Sequence, residues 1–103
     1  MSSIQAGITE IVTLPAPKGP SDTLMYRMDW THFLSPMLDT ISSSVWESNG
    51  LISANPAIEA GNLAATVWLS GGTAGGGYTV TNTVTTTAGR TVARSFRLNV
   101  AER

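Results

Sequence analysis

The chain has 103 residues, of which 42% are hydrophobic, and this is enough for one small domain with a single packed core. Only 13% of the residues are charged and the formal net charge is −1, so the chain lacks the basic surface that binds a nucleic-acid backbone. Cysteine is absent, which excludes disulfides, thiol nucleophiles and cysteine-ligated zinc.

The first 20 residues are predicted to form an extended N-terminal arm and a proline-rich linker, followed by one domain over residues 21–103. This arm lacks the pattern of a signal peptide, and no apolar run in the chain is long enough to span a membrane. We therefore expect synthesis in a cytoplasm and no membrane partner. An apolar extended segment can add a strand to a neighbour's sheet edge. The candidate partner contacts in the arm are Ile4, Ile8, Ile11 and Leu14.

Apolar and polar side chains alternate in two segments of the first half, which is typical of half-buried strands. Over residues 24–30 the alternation puts Leu24 and Trp30 on one face. Over residues 39–47 it puts Ile41 and Val45 opposite Trp46. Between them, residues 31–38 could hold one helical turn, which Thr31 would cap and Pro36 would end early.

A glycine-rich stretch separates two further strands. Residues 48–50 form a turn signal, and residues 51–53 and 64–69 are predicted as short strands. Residues 71–77 then contain five glycines. A phosphate-binding loop would need a lysine and a helix after the last glycine, whereas Tyr78 and a strand follow here. The glycines are therefore interpreted as turn residues with positive φ between two strands.

The C-terminal part is predicted to be an antiparallel hairpin with a tight turn at residues 87–89. One face of residues 78–86 carries Tyr78, Val80, Asn82, Val84 and Thr86, with threonines on the other face. Arg90, Arg94 and Arg97 lie on the second arm of the hairpin, where they belong to a solvated face or to a partner contact. Arg94 interrupts an apolar face, which places it at a sheet edge or in an ion pair.

Counted along the chain, these segments give about seven short strands at a spacing of roughly ten residues. The predicted fold class is all-β, an immunoglobulin-like β-sandwich of about seven antiparallel strands with an extended N-terminal arm. Of the three tryptophans, Trp30, Trp46 and Trp68, one or two are expected to fill the core. An exposed one would be a candidate anchor for a partner.

Residues with catalytic or ligand-binding chemistry do not form a recognisable set. The single histidine, His32, lies close in sequence to Asp29 and Ser35, whereas catalytic triads assemble from distant elements. The carboxylates are dispersed, without the spacing of a calcium loop. Asp29 and Asp39 fall at strand ends, where carboxylates commonly accept backbone N–H bonds. We predict no catalytic residue, cofactor, metal or small-molecule substrate, and no enzyme.

Several motifs occur together in an order that resembles a known family. They are residues 28–31 (MDWT), 38–46 (LDTISSSVW), 69–75 (LSGGTAG), 78–82 (YTVTN), 85–90 (TTTAGR) and 94–100 (RSFRLNV). The order looks like that of phage fibre-tail adaptor proteins, small structural proteins of tailed phages and prophages with an immunoglobulin-like sandwich. The resemblance covers roughly residues 24–100.

The resemblance implies a structural role in a phage virion, with synthesis in the bacterial host cytoplasm. The expected function is a tail or neck adaptor that joins fibres or neighbouring tail proteins to the tail, in a ring of identical subunits. Heterologous contacts between copies can close such a ring. Two alternatives stay open at this point. One is a capsid decoration or head-completion protein, and the other is a carbohydrate- or receptor-binding sandwich that uses an exposed tryptophan.

Overall fold

The computed structural model of the chain describes residues 2–5, 12–13 and 18–101. They form two stacked sheets, each of four strands. In chain order the elements are β1 (Ser2–Gln5), β2 (Val12–Thr13), β3 (Leu24–Asp29), helix α1 (Thr31–Leu34), a 3₁₀ turn (Ser35–Met37), β4 (Ile41–Ser48), β5 (Ile52–Ile58), β6 (Ala64–Ser70), β7 (Gly77–Thr86) and β8 (Thr91–Asn99). The first sheet has the order β1-β3-β6-β5 and the second has the order β2-β8-β7-β4.

The architecture is an all-β sandwich, as predicted, but the number of antiparallel strands is six and not about seven. Strands β3 to β8 supply three antiparallel strands to each sheet. The predicted N-terminal arm contributes two further short strands, β1 and β2, which pair in parallel with β3 and β8.

The core lies between the two sheets and follows the predicted alternation in most strands. In β3, Tyr26 and Met28 are buried, and Trp30 continues the same face. In β7, Val80, Asn82 and Val84 are buried. Burial of each large apolar side chain stabilises the fold by about 1.5–3 kcal/mol, so this interior row provides much of the driving force for folding.

Strand β4 differs from the prediction at the positions of Val45 and Trp46. The alternation put Val45 on the face of Ile41, whereas the structure buries Ile41 and Trp46 and leaves Val45 exposed. The cause is a register shift between Ile41 and Ser43 in the pairing of β4 with β7. One extra residue in a bulge moves every later side chain to the opposite face.

The link between β3 and β4 is helical, as expected, but its cap differs. Helix α1 begins at Thr31, so the cap position is Trp30, and no side-chain bond caps it there. The Thr31 N–H instead donates to the Asp29 carboxylate at 2.9 Å. The α-helix ends at Leu34, just before Ser35 and the proline, as predicted. Among the described residues, no helix has the length and apolar character needed to cross a membrane.

The glycine-rich stretch is the connection between β6 and β7, which confirms its interpretation as a turn. Gly71, Gly72 and Gly75 all have positive φ, between 81° and 94°. The predicted hairpin of β7 and β8 is also present, with Gly89 at positive φ in its turn. No helix follows the glycines, and this geometry does not suit a phosphate-binding loop.

Candidate partner-binding surfaces

The three tryptophans divide into two core residues and one surface residue. Trp30 and Trp46 belong to the buried cluster between the sheets, which confirms that two of them fill the core. The Trp30 indole N–H donates to the Asn82 side-chain oxygen at 2.9 Å. Trp68 faces outward and is 39% exposed. It is therefore the tryptophan available to a partner.

Trp68 lies in an apolar area on the outer face of the first sheet. The register places it opposite Met25 of β3 on one side and Ala54 of β5 on the other. Ile52, two residues along β5 from Ala54 and therefore on the same face, is 63% exposed. We name these four residues, Met25, Ile52, Ala54 and Trp68, the Trp68 patch. A partly exposed tryptophan among aliphatic side chains is the composition found at the centre of protein interfaces.

A second apolar feature projects from the link between β3 and β4. Leu38 is 95% exposed, and the preceding Met37 is exposed as well. The backbone of Leu38 is left-handed, with φ of 53°, and its N–H donates to the Ser35 carbonyl at 3.1 Å. We name Met37 and Leu38 the Leu38 knob. The exposure of these two side chains is not evident from the sequence, because a short apolar run in a link between strands predicts burial.

The patch and the knob lie toward opposite ends of the sandwich. Strand β3 begins at Leu24, the residue before Met25 of the patch, and ends at Asp29, from which the helical link leads directly to Leu38. The molecule is elongated, with extents of 42 × 25 × 20 Å. Two surfaces at opposite ends can each contact a different neighbour.

The outer face of the second sheet is polar and rich in hydroxyl groups. Along β7, alternate threonines at positions 79, 81, 83 and 85 face outward, and the Thr81 and Ser95 hydroxyls are 2.7 Å apart. A shallow cleft of about 290 Å³ lies at one end of this face, lined by Glu47, Ser48, Asn49, Thr79 and Thr81. The Asn49 side-chain oxygen accepts the Thr79 N–H, so that amide holds a turn. The Ser48 hydroxyl donates to the Leu51 carbonyl at 3.1 Å, so it too holds the turn between β4 and β5.

The predicted partner-contact arginines do not form one cluster. Arg90 forms an ion pair with Asp39 at 2.8 Å. Arg94 is partly buried, with its guanidinium 5.7 Å from the centre of the Phe33 ring, and its Nε has no hydrogen-bond partner among the described residues. Arg97 is exposed on the opposite face of the same strand. Their role in partner contact stays a prediction.

The predicted contacts of the arm are only partly covered by the structure. Ile4 lies in β1, where its backbone is opposite Met28 of β3. Ile8, Ile11 and Leu14 lie outside the described residues. The division between arm and domain at residue 20 stays a prediction, although Lys18 and Gly19 are buried in the sandwich.

The burial of the Lys18 side chain was not predicted from the sequence. Its side chain is 0% exposed, and its Nζ donates to the carbonyls of Gly19 at 2.7 Å and Gly71 at 2.6 Å. Burial lowers the pKa of Lys18, and the charges of Asp22 and Tyr78 oppose that shift. The contact joins the start of the sandwich to the glycine-rich connection. The available signal was that Lys18 is the only lysine of the chain.

Asp39 holds the β7–β8 turn against the start of β4. Its carboxylate accepts N–H bonds from Thr40 and Ala88 and pairs with Arg90, as expected for a carboxylate at a strand end. A hydrogen bond from Thr86 makes the largest contribution to lowering the pKa of Asp39. The N–H bonds of Thr40 and Ala88 and the bond from Arg90 add to it.

We expect Asp39→Asn to lower the melting temperature at neutral pH and to have progressively less effect in acid. Because the pKa of Asp39 is lower in the folded than in the unfolded chain, its stabilisation is fully present above the unfolded value of about 3.9. The stabilisation is lost as the pH falls through the folded pKa. Melting curves of both proteins between pH 7 and pH 2 measure this. A difference in melting temperature that stays constant over that range would contradict the prediction.

The residues considered for catalysis or metal binding do not form a site. His32 is exposed on α1, and Asp29 accepts the Thr31 N–H and lies 3.5 Å from Arg27. Within the part of the chain that the structure describes, no group of histidine, aspartate and glutamate side chains could hold a metal ion.

Comparison with known proteins identifies the family. The model of a family described as "Podophage GP4 fiber-tail adaptor protein gp77" matches residues 18–99. The chain belongs to this family. The matched range covers strands β3 to β8 of the sandwich. The first and last residues of this range are neighbours in space, since the Lys18 N–H donates to the Asn99 carbonyl at 2.9 Å. No curated protein matches this member of the fibre-tail adaptor family.

Proposed function

We propose that the protein is a structural adaptor in the virion of a tailed phage, where it joins fibres or neighbouring tail proteins to the tail. The observation that supports this most directly is the family match over residues 18–99. The exposed Trp68 patch and Leu38 knob supply apolar contact surfaces of the kind that such a role needs. In this proposal the protein acts by binding its neighbours and has no catalytic activity.

The proposal includes a ring of identical subunits in which the N-terminal arm contributes to the joints. Strands β1 and β2 add in parallel to the edges of β3 and β8, so both edges accept an extended strand. In the assembly, the arm of a neighbouring copy or of another tail protein would take the place of this chain's own β1 and β2 at these edges. The arm residues and the three arginines of the β8 region are the proposed contacts, namely Ile4, Ile8, Ile11, Leu14, Arg90, Arg94 and Arg97.

We expect the part of the arm before the buried Lys18 to be cut rapidly by a non-specific protease in the isolated protein and slowly in purified particles. An arm that completes a neighbour's sheet is protected only where the neighbour is present. Mass spectrometry of a time course locates the first cuts, and the sandwich fragment serves as the internal control. Equal protection of the arm in both samples would contradict this part of the proposal.

The location of the protein tests the adaptor role as a whole. A tagged copy on purified virions, labelled with gold and imaged by electron microscopy, is expected to carry label at the tail or neck. Label over the capsid would favour a decoration protein, and absence from the particle would contradict any role in the virion.

A further inference from the structure

We propose that the edge of β8 is the binding site for residues 8–14 of the chain's own arm, held in the register of β2, with Glu10 paired to Arg94. This inference goes beyond the proposed function, because it assigns a contact within one chain that does not depend on the virion.

Arg94 is a cation in an apolar setting with an unused donor. It is the only charged side chain on the inner face of β8, where Val92 and Phe96 on either side contribute to the core. Its guanidinium lies 5.7 Å from the centre of the Phe33 ring, and one terminal nitrogen donates to the Ala93 carbonyl at 2.8 Å. Its buried Nε has no partner among the described residues. A carboxylate is the acceptor that binds such a donor most strongly.

The carboxylates that the structure describes are not available to this arginine. One of the five, Glu47, is exposed on the outer face of β4, opposite Thr81. The other four accept bonds from donors elsewhere, namely Asp22, Asp29, Asp39 and Glu59. The chain has two more carboxylates, Glu10 and Glu102. Glu102 follows the end of β8, whereas Glu10 comes two residues before β2.

The pairing of β2 with β8 predicts the position of Glu10. The two strands are parallel, and Val12 is opposite Phe96. Residue numbers therefore rise together along both strands. Continued by two residues toward the N-terminus in the same register, the pairing puts Glu10 opposite Arg94. Opposed residues of neighbouring strands lie on the same face, so the carboxylate would reach the guanidinium.

The rest of the arm matches the same register. Ile8 falls opposite Val92, and Leu14 falls opposite Leu98, so apolar residues meet apolar ones. Glu10 is the only charged side chain among the first 17 residues, and it falls opposite the only charged residue of the inner face. A shift of one residue would move Ile8 and Glu10 to the outer face, so the match favours a single register.

The chain's own arm is already beside this edge at two points. One is β2, and the other is Lys18, whose N–H donates to the Asn99 carbonyl at 2.9 Å. A single strand at a sheet edge opens locally with little loss of free energy, so this contact is compatible with rapid proteolysis of the arm. The same site can then release its own arm and accept that of a neighbour.

Reversal of the two charges tests the pair in the full chain. Arg94→Glu is expected to lower the melting temperature by about 4–8 °C, because it places two carboxylates opposite one another. Adding Glu10→Arg is expected to recover about half of that loss or more. Arg97→Glu is the matched control, since Arg97 lies on the outer face of β8, and Glu10→Arg is expected to recover none of its loss. Equal recovery in both backgrounds, or none in either, would overturn the pairing.

Disulfide formation tests the register without relying on charge. The chain has no cysteine, and opposed Cα atoms of neighbouring strands, about 4.8 Å apart, suit a disulfide. Glu10→Cys combined with Arg94→Cys is expected to give an intrachain disulfide on mild oxidation in dilute solution. Thr9→Cys combined with Arg94→Cys, one residue out of register, is expected to give little. Equal yields would overturn the register, and disulfide-linked dimers in place of monomers would overturn the assignment to the chain's own arm.

The outcomes separate this contact from the adaptor role. Gold label on virion tails without the disulfide would refute the contact alone. An intrachain disulfide without any virion label would refute the adaptor role alone.

Discussion

Replacement of Gly72 by valine is expected to lower the free energy of unfolding by about 2–5 kcal/mol, the sum of overpacking and backbone strain. A Cβ atom at this position would lie 2.8 Å from the Val100 Cγ2 and 3.0 Å from the Leu51 Cδ2. Both neighbours are buried in the core and have little room to move. The backbone φ of 94° is also one that a β-branched residue strongly disfavours. Denaturation in urea measures the loss.

Gly75→Val is the matched control for this substitution. Its φ is 88°, close to that of Gly72, but nothing lies within 4 Å of its Cβ position. It therefore has the backbone strain without the overlap, and we expect a loss of about 1–2 kcal/mol. If both variants lose the same amount, the close approach of Gly72 to the core is not important for stability. Such a result would reduce the role of this connection to turn geometry alone.

The parts of the fold that were predictable are those in which one pattern dominates. In β3 and β7, one face of the strand is buried against the other sheet. Apolar and polar residues therefore alternate along both strands without interruption, and this pattern is visible in the sequence. The turn at residues 87–89 and the glycine-rich connection were predictable because glycine with positive φ has few other uses. The location of Trp68 on the surface was not predictable, because tryptophans in strands have the same local pattern whether they face in or out.

The features that the sequence did not reveal depend on contacts between distant residues. The bulge in β4 is a property of its pairing with β7, so the reversed positions of Val45 and Trp46 could not be seen within β4. Thr31 was a plausible cap by residue type, but the Asp29 carboxylate satisfies the same N–H from outside the helix. Lys18 is buried because carbonyls of two loops converge on its Nζ. The candidate surfaces were also not predictable, because Leu38 is identified by its exposure and its backbone conformation rather than by any sequence motif.

Asn82→Leu is expected to lower the free energy of unfolding by about 2–4 kcal/mol, although leucine has a similar volume and the site is fully buried. The Asn82 amide is the centre of a buried hydrogen-bond network. It accepts the Trp30 indole N–H at 2.9 Å and donates to the Ser44 hydroxyl at 2.8 Å and the Val45 carbonyl at 3.1 Å. Leucine would leave the indole N–H buried without a partner, which costs about 1–3 kcal/mol by itself.

A double-mutant cycle with Trp30→Phe isolates the cost of leaving the indole N–H without a partner. Phenylalanine removes the indole N–H, so Asn82→Leu is expected to be less costly by about 1–3 kcal/mol in the Trp30→Phe background. Val84→Ala, at a buried position two residues along β7 without a polar partner, is the control and is expected to cost the same in both backgrounds within about 0.5 kcal/mol. Equal costs of Asn82→Leu in the two backgrounds would mean that the bond between the indole and the amide contributes nothing to stability. The structural role of the amide would then lie in its bonds to the Ser44 hydroxyl and the Val45 carbonyl, which hold β7 to β4.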